Sequence, residues 1–264
     1  MLVFLLSLIL IIPSFACEFS SKVKGVYSLA GSVTLALRDL DLIKDKKLSG
    51  ISIFHPVDKK VFKGEILPGG IFLSHDTIKK LKGSVLFYDE SREMTRILSG
   101  YPEVKSIQIK TRGLSPLAVV ESTSKELKPY LENCNLNILQ KNLETKLAVL
   151  KKVIPPQKTI LFFLGQIKQG RYPELLMVND GVVKWMVEEK LLKSYPSELA
   201  YVNWSAKILQ SLPSDLMKVG LKDSGSEMGV KLEKSEGHFN LTYPGSLIPG
   251  TGQVEAMIYL FQYL

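Results

Sequence analysis

Three cations and five aromatics lie where polar loops interrupt apolar runs of this chain. Arg92, Lys168 and Arg171 each offer charge-assisted bonds to a carboxylate or phosphate, and the two arginines do so bidentately. Tyr88, Tyr172, Trp204, Phe239 and Tyr243 offer flat apolar faces. Gln166 and Asn203 add neutral polar groups in the same kinds of segment. Such a set suits capture of an anionic, partly flat molecule. The plainer alternatives stay open, namely packing for the aromatics and solvation for the cations. His55, His75 and His238 are the three histidines. Two or three histidines with a carboxylate can hold zinc or manganese, whereas His55 and His238 in loops of opposite halves can instead face one ligand.

Chemistry of turnover is harder to find. The strings G-x-S-x-G, H-E-x-x-H and G-x-x-x-x-G-K-[ST] do not occur, and neither Cys17 nor Cys134 sits in a recognisable nucleophile context. The residues therefore point to a binding protein without a cofactor, with an exported α/β enzyme as the competing class. Lys plus Arg number 34 against 26 for Asp plus Glu, a net charge of +8. That excess favours anionic partners. It is spread along the chain without a run of five or more basic residues, so nucleic acid is not expected as a partner. With 264 residues, 45% hydrophobic and 23% charged, the chain is neither disordered nor collagenous nor a polytopic membrane protein.

The elements that must position these residues begin after residue 16. Met1 to Ala16 carries no charged side chain, its apolar stretch ends at Pro13, and Ser14 and Ala16 place small residues around a cut after Ala16. This reads as a secretory signal peptide, too short to span a bilayer of about 30 Å. Export to an oxidising compartment favours a Cys17–Cys134 disulfide; a lipidated Cys17 or a free Cys134 are the alternatives. Apolar runs at Lys24–Leu29, Leu48–Phe54, Ser84–Tyr88 and Val104–Ile109 read as strands. Helical patterns lie between them, at Val33–Leu40, Thr77–Leu81 with Ser74 as cap, and Arg92–Leu98. Alternation of this kind argues a parallel sheet with crossover helices. A short helix is expected over Ser124–Leu131. Leu136, Leu139, Leu143, Leu147 and Leu150 then recur every three or four residues. They predict one amphipathic helix to Val153, about 27 Å long, stopped by Pro155-Pro156. Strands follow at Thr159–Leu164, Leu216–Leu221 and Val230–Leu232, and helices at Val182–Leu192, Ser205–Leu209 and Gly252–Tyr263. The fold class is α/β: two lobes, each a mainly parallel sheet with flanking helices, joined by a single long helix. In open sheets of this kind, ligands bind outside the carboxyl ends of the strands.

Five stretches carry a resemblance: VYSLAGS (26–32), HDTIKKLKGSVLFYDES (75–91), the single long helix before KTILFFLG (158–165), YVNWSAKIL (201–209) and YPGSLIPGTGQVEAMIYLFQYL (243–264). Their order and spacing resemble the class III periplasmic solute-binding proteins of ABC importers, the cobalamin-, heme- and ferric-siderophore-binding kind and, more distantly, the divalent-metal binders. The resemblance implies a signal peptide over 1–16, an N-terminal lobe over 17–134, a bridging helix over 135–154 and a C-terminal lobe over 155–264. It implies a periplasmic, monomeric protein that takes a small anionic molecule or metal chelate between its lobes. Its cleft residues are then His55, Tyr88, Arg92, Gln166, Lys168, Arg171, Tyr172, Asn203, Trp204, His238 and Tyr243, with the loop Leu29 to Ser32, Asp89, Glu90 and Phe239 nearby. His75 falls at a helix cap rather than at the metal-binding branch's ligand position. An importer permease is the implied partner. Glu90 or Glu93 fits the acidic docking contact of the first lobe, but NLTYPGSLIPG in the second contains no acid. A stand-alone scavenging or sensing binder, or a direct divalent-metal binder, is the alternative.

Overall fold

Val85–Asp89 shows why the first sheet forms. Its first four residues are β-branched, aromatic or aliphatic and all buried, with Val85 and Phe87 entering one hydrophobic core and Leu86 and Tyr88 another. A strand buried on both faces belongs inside a parallel sheet covered by helices. The computed structural model describes residues 17–69, 72–155, 159–168, 173, 181–193, 216–235 and 237–264. In it β1 (Glu18–Phe19) is followed by β2 (Val26–Leu29), β3 (Leu48–Ser52), β4 (Glu65–Leu67), β5 (Val85–Asp89) and β6 (Lys105–Ile109). Strands β2 to β6 form one sheet in the order β4-β3-β2-β5-β6, parallel throughout. Helices α1 (Gly31–Asp39), α2 (His75–Lys80), α3 (Arg92–Leu98) and α4 (Pro116–Leu127) accompany it. Ser74, Ser91 and Ser115 cap the last three through their side chains, each satisfying an N–H that has no partner within its helix.

The sequence places a helix at Ser124–Leu131, but α4 starts eight residues earlier and ends at Leu127. The Ser115-Pro116 pair supplies a cap and a first-turn proline, both standard start signals. Strand β7 (Leu131–Glu132) then pairs antiparallel with β1, and Cys17 is bonded to Cys134 next to this pair. The bond engages the sulfur that a lipid anchor needs.

Helix α5 (Asn137–Val153) carries the leucine stripe. Leu139 joins the core under the first sheet, and Leu143, Leu147 and Leu150 join the core of the second half. One helix is thus shared by two cores. The second sheet contains β8 (Ile160–Leu164), β9 (Met217–Asp223), β10 (Lys231–Ser235) and β11 (His238–Tyr243), in the order β10-β11-β9-β8. β8, β9 and β11 are parallel, and β10 runs antiparallel to β11. The expected last strand at Val230–Leu232 is therefore one arm of a hairpin, and the expected loop at His238–Asn240 is the start of its other arm. Gly237, with φ of +74°, makes the turn that L side chains resist. Helix α6 (Gly181–Glu188) and helix α7 (Thr251–Gln262) complete this lobe. The expected helix at Ser205–Leu209 lies outside the described residues.

The lobes are also tied by charge. Arg38 of α1 donates to both carboxylate oxygens of Glu255 in α7, at 3.2 and 2.8 Å, and Lys146 of α5 reaches the same carboxylate at 2.6 Å. Burial alone would lower the Arg38 pKa, yet Glu255 and Asp39 outweigh it and raise it. All four side chains keep a third or less of their surface exposed. Breaking the partly buried bidentate pair leaves Arg38 and Lys146 with Asp39 as the anion they still share. Glu255→Gln is expected to cost about 1–3 kcal/mol, read as a lower urea midpoint. An unchanged midpoint would show that the cluster contributes nothing to stability.

Candidate functional site

The carboxyl ends of β2, β3, β5 and β9 open onto one cleft of about 340 Å³ between the lobes. The first lobe lines it with Leu29, Gly31, Ser52, Phe54, His55, Gly69 and Asp89; the second supplies Asp223, Gly225, Leu247, Ile248 and Pro249. The volume is within the small-molecule range of about 300–1,000 Å³. The two walls touch at the floor: a Cβ on Gly31 would stand 2.9 Å from the Ile248 side chain. Only glycine lets the start of α1 come this close to the opposite lobe.

Asp89 ends β5. Its Oδ2 accepts the Gly31 N–H at 3.2 Å, one of the amides that α1 leaves unpaired at its first turn. Its Oδ1 is shielded from water and has no hydrogen-bond partner among the described residues. Burial pushes the Asp89 pKa up to about 6, with the Gly31 amide acting in the other direction. Asp223 is differently placed. Its Oδ1 accepts from Gly225 N–H at 2.7 Å and Gly245 N–H at 2.8 Å. Burial raises its pKa, opposed by these amides and that of Leu247. Asp223 therefore fixes the loops of the second wall.

His55 follows β3 and is only 4% exposed. Its Nδ1 lies 2.7 Å from Thr34 Oγ1. The Thr34 hydroxyl donates to Ser28 Oγ at 2.8 Å, and the Ser28 hydroxyl donates to the Ala30 carbonyl at 2.9 Å. Burial lowers the His55 pKa to about 3, against a raising effect of the Leu29 carbonyl. The ring is neutral at ordinary pH.

Of the residues singled out from sequence, His55 lines this cleft. Tyr88 does not: it is 6% exposed and packs in the core with Leu67, Ile78 and Leu98, because position 88 alternates inward on a doubly covered strand. Arg92 is exposed at the first turn of α3, outside the cleft lining. After β8 the chain folds back over the sheet. Gln166 donates to Thr242 Oγ1 at 3.3 Å, and the Ile167 N–H and carbonyl bond the Asn240 side chain at 2.8 Å each. Lys168 and Gln166 consequently line a separate polar hollow with Glu233, Lys234, Ser235 and Asn240. His238 and Phe239 begin β11, and their parallel register with β9 puts them at the end opposite the cleft. Tyr243 ends β11 and packs at a tilt against Tyr259 of α7, the ring centroids 5.6 Å apart. His75 contacts Tyr101. Arg171, Tyr172, Asn203 and Trp204 lie outside the described residues. The expected meeting of three cations is thus absent for Arg92 and Lys168, and among the described lining residues there is no Lys or Arg. Among the described residues no group of three or more His, Cys, Asp or Glu is placed to hold a metal ion.

Sequence reasoning missed Phe54 and Phe72. Phe54 lines the cleft with 61% of its surface exposed, and Phe72 is 67% exposed. A Cβ on Gly69 would meet both rings, at 2.7 and 3.6 Å, so the two aromatics flank that glycine at the cleft mouth. The available signal was a Phe directly before His55-Pro56, where a strand must end.

No protein-family model and no curated protein sequence matches the chain. Solved structures do. The chain superposes on a possible iron-binding (periplasmic solute-binding) protein from Staphylococcus epidermidis with a TM-score of 0.64 at 16% identity, over 91% of this chain and 98% of that one. It superposes on the periplasmic heme-binding protein HutB of Vibrio cholerae with a TM-score of 0.61 at 14% identity, over 90% and 97%. An ABC transporter substrate-binding protein from Listeria monocytogenes gives 0.59 at 13% identity, over 92% and 99%. The chain has the two-lobed α/β fold of these proteins.

Proposed function

We propose that the protein is a periplasmic solute-binding protein that captures a small molecule between its lobes and does not transform it. The observation that carries this reading is the 340 Å³ interlobe cleft at the carboxyl ends of both sheets, in the fold of the solute-binding proteins above. Its described lining residues include no nucleophile with an adjacent base and orienting group. Division into lobes over 17–134 and 155–264, with 135–154 as the bridge, is supported by α5 lying in both cores. A continuous helix offers no loop residues to absorb a large closure, so opening is a small rotation about α5. Residues 1–16 are read as the export signal. The heme and iron ligands named for the neighbours set the size class. The anionic ligand implied by the sequence loses support from Arg92 and Lys168, which do not line the cleft, while His55 remains a candidate contact. An importer permease is the natural partner, with Glu90 or Glu93 as one docking contact.

The test is native mass spectrometry of the protein taken from the periplasm of the cell that makes it. A retained small molecule, released unchanged on denaturation, is the expected result. Chemical conversion of that molecule, or a mass equal to the bare chain under every gentle condition, would overturn the reading.

A further inference from the structure

We propose that the face of the first lobe opposite the cleft docks on an anionic lipid bilayer through a row of lysines. The proposal goes beyond the solute-binding reading and does not depend on what the cleft holds. The residues that form this face are all described.

The strands of the first sheet are parallel, so all of them start at this face, and lysine leads in each one. In sheet order these are Lys63 before β4, Lys46 and Lys47 before β3, Lys24 before β2, Lys82 before β5, and Lys105 as the first residue of β6. Neighbouring strands lie about 4.8 Å apart, so the row runs for about 19 Å. Asp45, Glu65 and Glu103 are the acids of the same lead-ins, too few to neutralise it. Glu18 and Glu132 of the β1–β7 pair accept from Asn133 and Ser20. Two of the lysines have local roles. Lys47 Nζ donates to the Phe19 and Ser20 carbonyls at 3.3 and 2.8 Å, and Lys105 Nζ lies 4.8 Å from the centre of the Tyr130 ring. Lys24, Lys46, Lys63 and Lys82 are exposed and form no ion pair among the described residues. The last turns of α2, α3 and α4 return to this face with Lys79, Lys80, Arg96 and Lys125, beside Glu126. The helix dipole accounts for those cations. It does not account for lysines ahead of strands, because a sheet has little dipole of its own. A row of ammonium point charges suits the diffuse charge of a surface rather than bidentate capture of one group. The start of the chain favours a bilayer over a soluble polymer. Lys47 holds Phe19 and Ser20 at this face, so the apolar leader read over residues 1–16 joins the protein here, and a leader still in the membrane brings the row to the bilayer.

The test is cosedimentation of the oxidised exported chain with two kinds of vesicle, phosphatidylcholine alone and phosphatidylcholine with about one-third phosphatidylglycerol. Each lysine near an anionic surface changes partitioning about fivefold. Wild-type protein is expected to bind the anionic vesicles at least tenfold more tightly than the neutral ones at about 20 mM salt, and to lose that preference at about 200 mM, where screening shortens to about 7 Å. The variant Lys24→Gln/Lys46→Gln/Lys63→Gln/Lys82→Gln should lose at least tenfold. A control variant, Arg92→Gln/Lys110→Gln/Arg112→Gln/Lys222→Gln, removes as much charge from exposed positions near the carboxyl ends of the strands and should keep most of the binding. Thermal melts check that both variants fold, and the salt dependence of the wild type needs no variant. Equal binding to both vesicles, binding to neither at low salt, or equal losses in the two variants would each overturn the proposal. Capture of soluble polyphosphate without capture of vesicles would assign the row to a polymer and overturn it too.

Discussion

Cys17→Ser/Cys134→Ser protein is expected to be less stable than the oxidised wild type by about 4–5 kcal/mol, close to the upper end for one disulfide. The bond joins residues 117 apart in sequence, so its absence returns the closure entropy of a very long loop to the unfolded chain. β1 and β7 are two residues each, and a two-stranded pair of that length is not stable alone. What the bond protects is the docking of Phe19, 3% exposed in the first-lobe core, and the Ser20 N–H bond to the Tyr130 carbonyl at 2.9 Å. Urea unfolding of the oxidised protein and the double serine variant measures the difference. The oxidised protein should also show the smaller denaturant slope, because its unfolded chain exposes less surface. Coincident midpoints would show that the first lobe closes without the bond.

Strands β2, β3, β5, β6, β8 and β9 and helix α5 were legible in the sequence because their apolar patterns are strong. VLFY at 85–88 has no polar face, which only a covered parallel sheet accommodates, and the leucines from 136 to 150 repeat with a helical period. The cleft was less legible. Tyr88 and Arg92 were placed there from their position beside a strand end, but a strand end does not state which way a side chain points. Alternation sent Tyr88 into the core, and α3 carried Arg92 to the surface. Lys168 failed for another reason. The loop after β8 folds back onto the sheet through Asn240, a contact between residues 73 apart in sequence that no local pattern encodes. His238 failed because a hairpin replaces the expected terminal loop. Asp89 was noticed but passed over, since nothing in the sequence says that its Oδ1 will be left without a donor.

Asp89→Asn is expected to change how stability depends on pH by about 3 kcal/mol, through the loss of an offset between two buried groups. His55 titrates near 3 in the folded protein, below its ordinary 6.5. Its neutral form is favoured by folding. The stability it contributes is present above pH 6.5 and is lost as pH falls toward 3. That loss approaches about 4–5 kcal/mol at about 1.4 kcal/mol per pH unit. Asp89 titrates near 6, above its ordinary 3.8, and has the opposite sign. Its contribution is present below pH 3.8 and is lost as pH rises through 6, about 3 kcal/mol in all. Between pH 6 and 4 the two slopes cancel, so wild-type stability should change little from these groups. Asp89→Asn removes one slope and exposes the other. This variant should be more stable than wild type at pH 7.5, where the buried carboxylate is charged, and should then fall steadily from pH 6.5 to 4. His55→Gln removes the other slope and should gain stability over the same interval. Other carboxylates are common to all three proteins and drop out of the differences. Urea midpoints at pH 4, 5, 6 and 7.5 measure the curves. Parallel curves would mean that neither group is held away from its ordinary titration, and that Asp89 meets water or a donor in the free protein. Opposed curves would establish that burial holds both the imidazole and the carboxylate of the cleft lining away from their ordinary titration, in opposite directions along the pH scale.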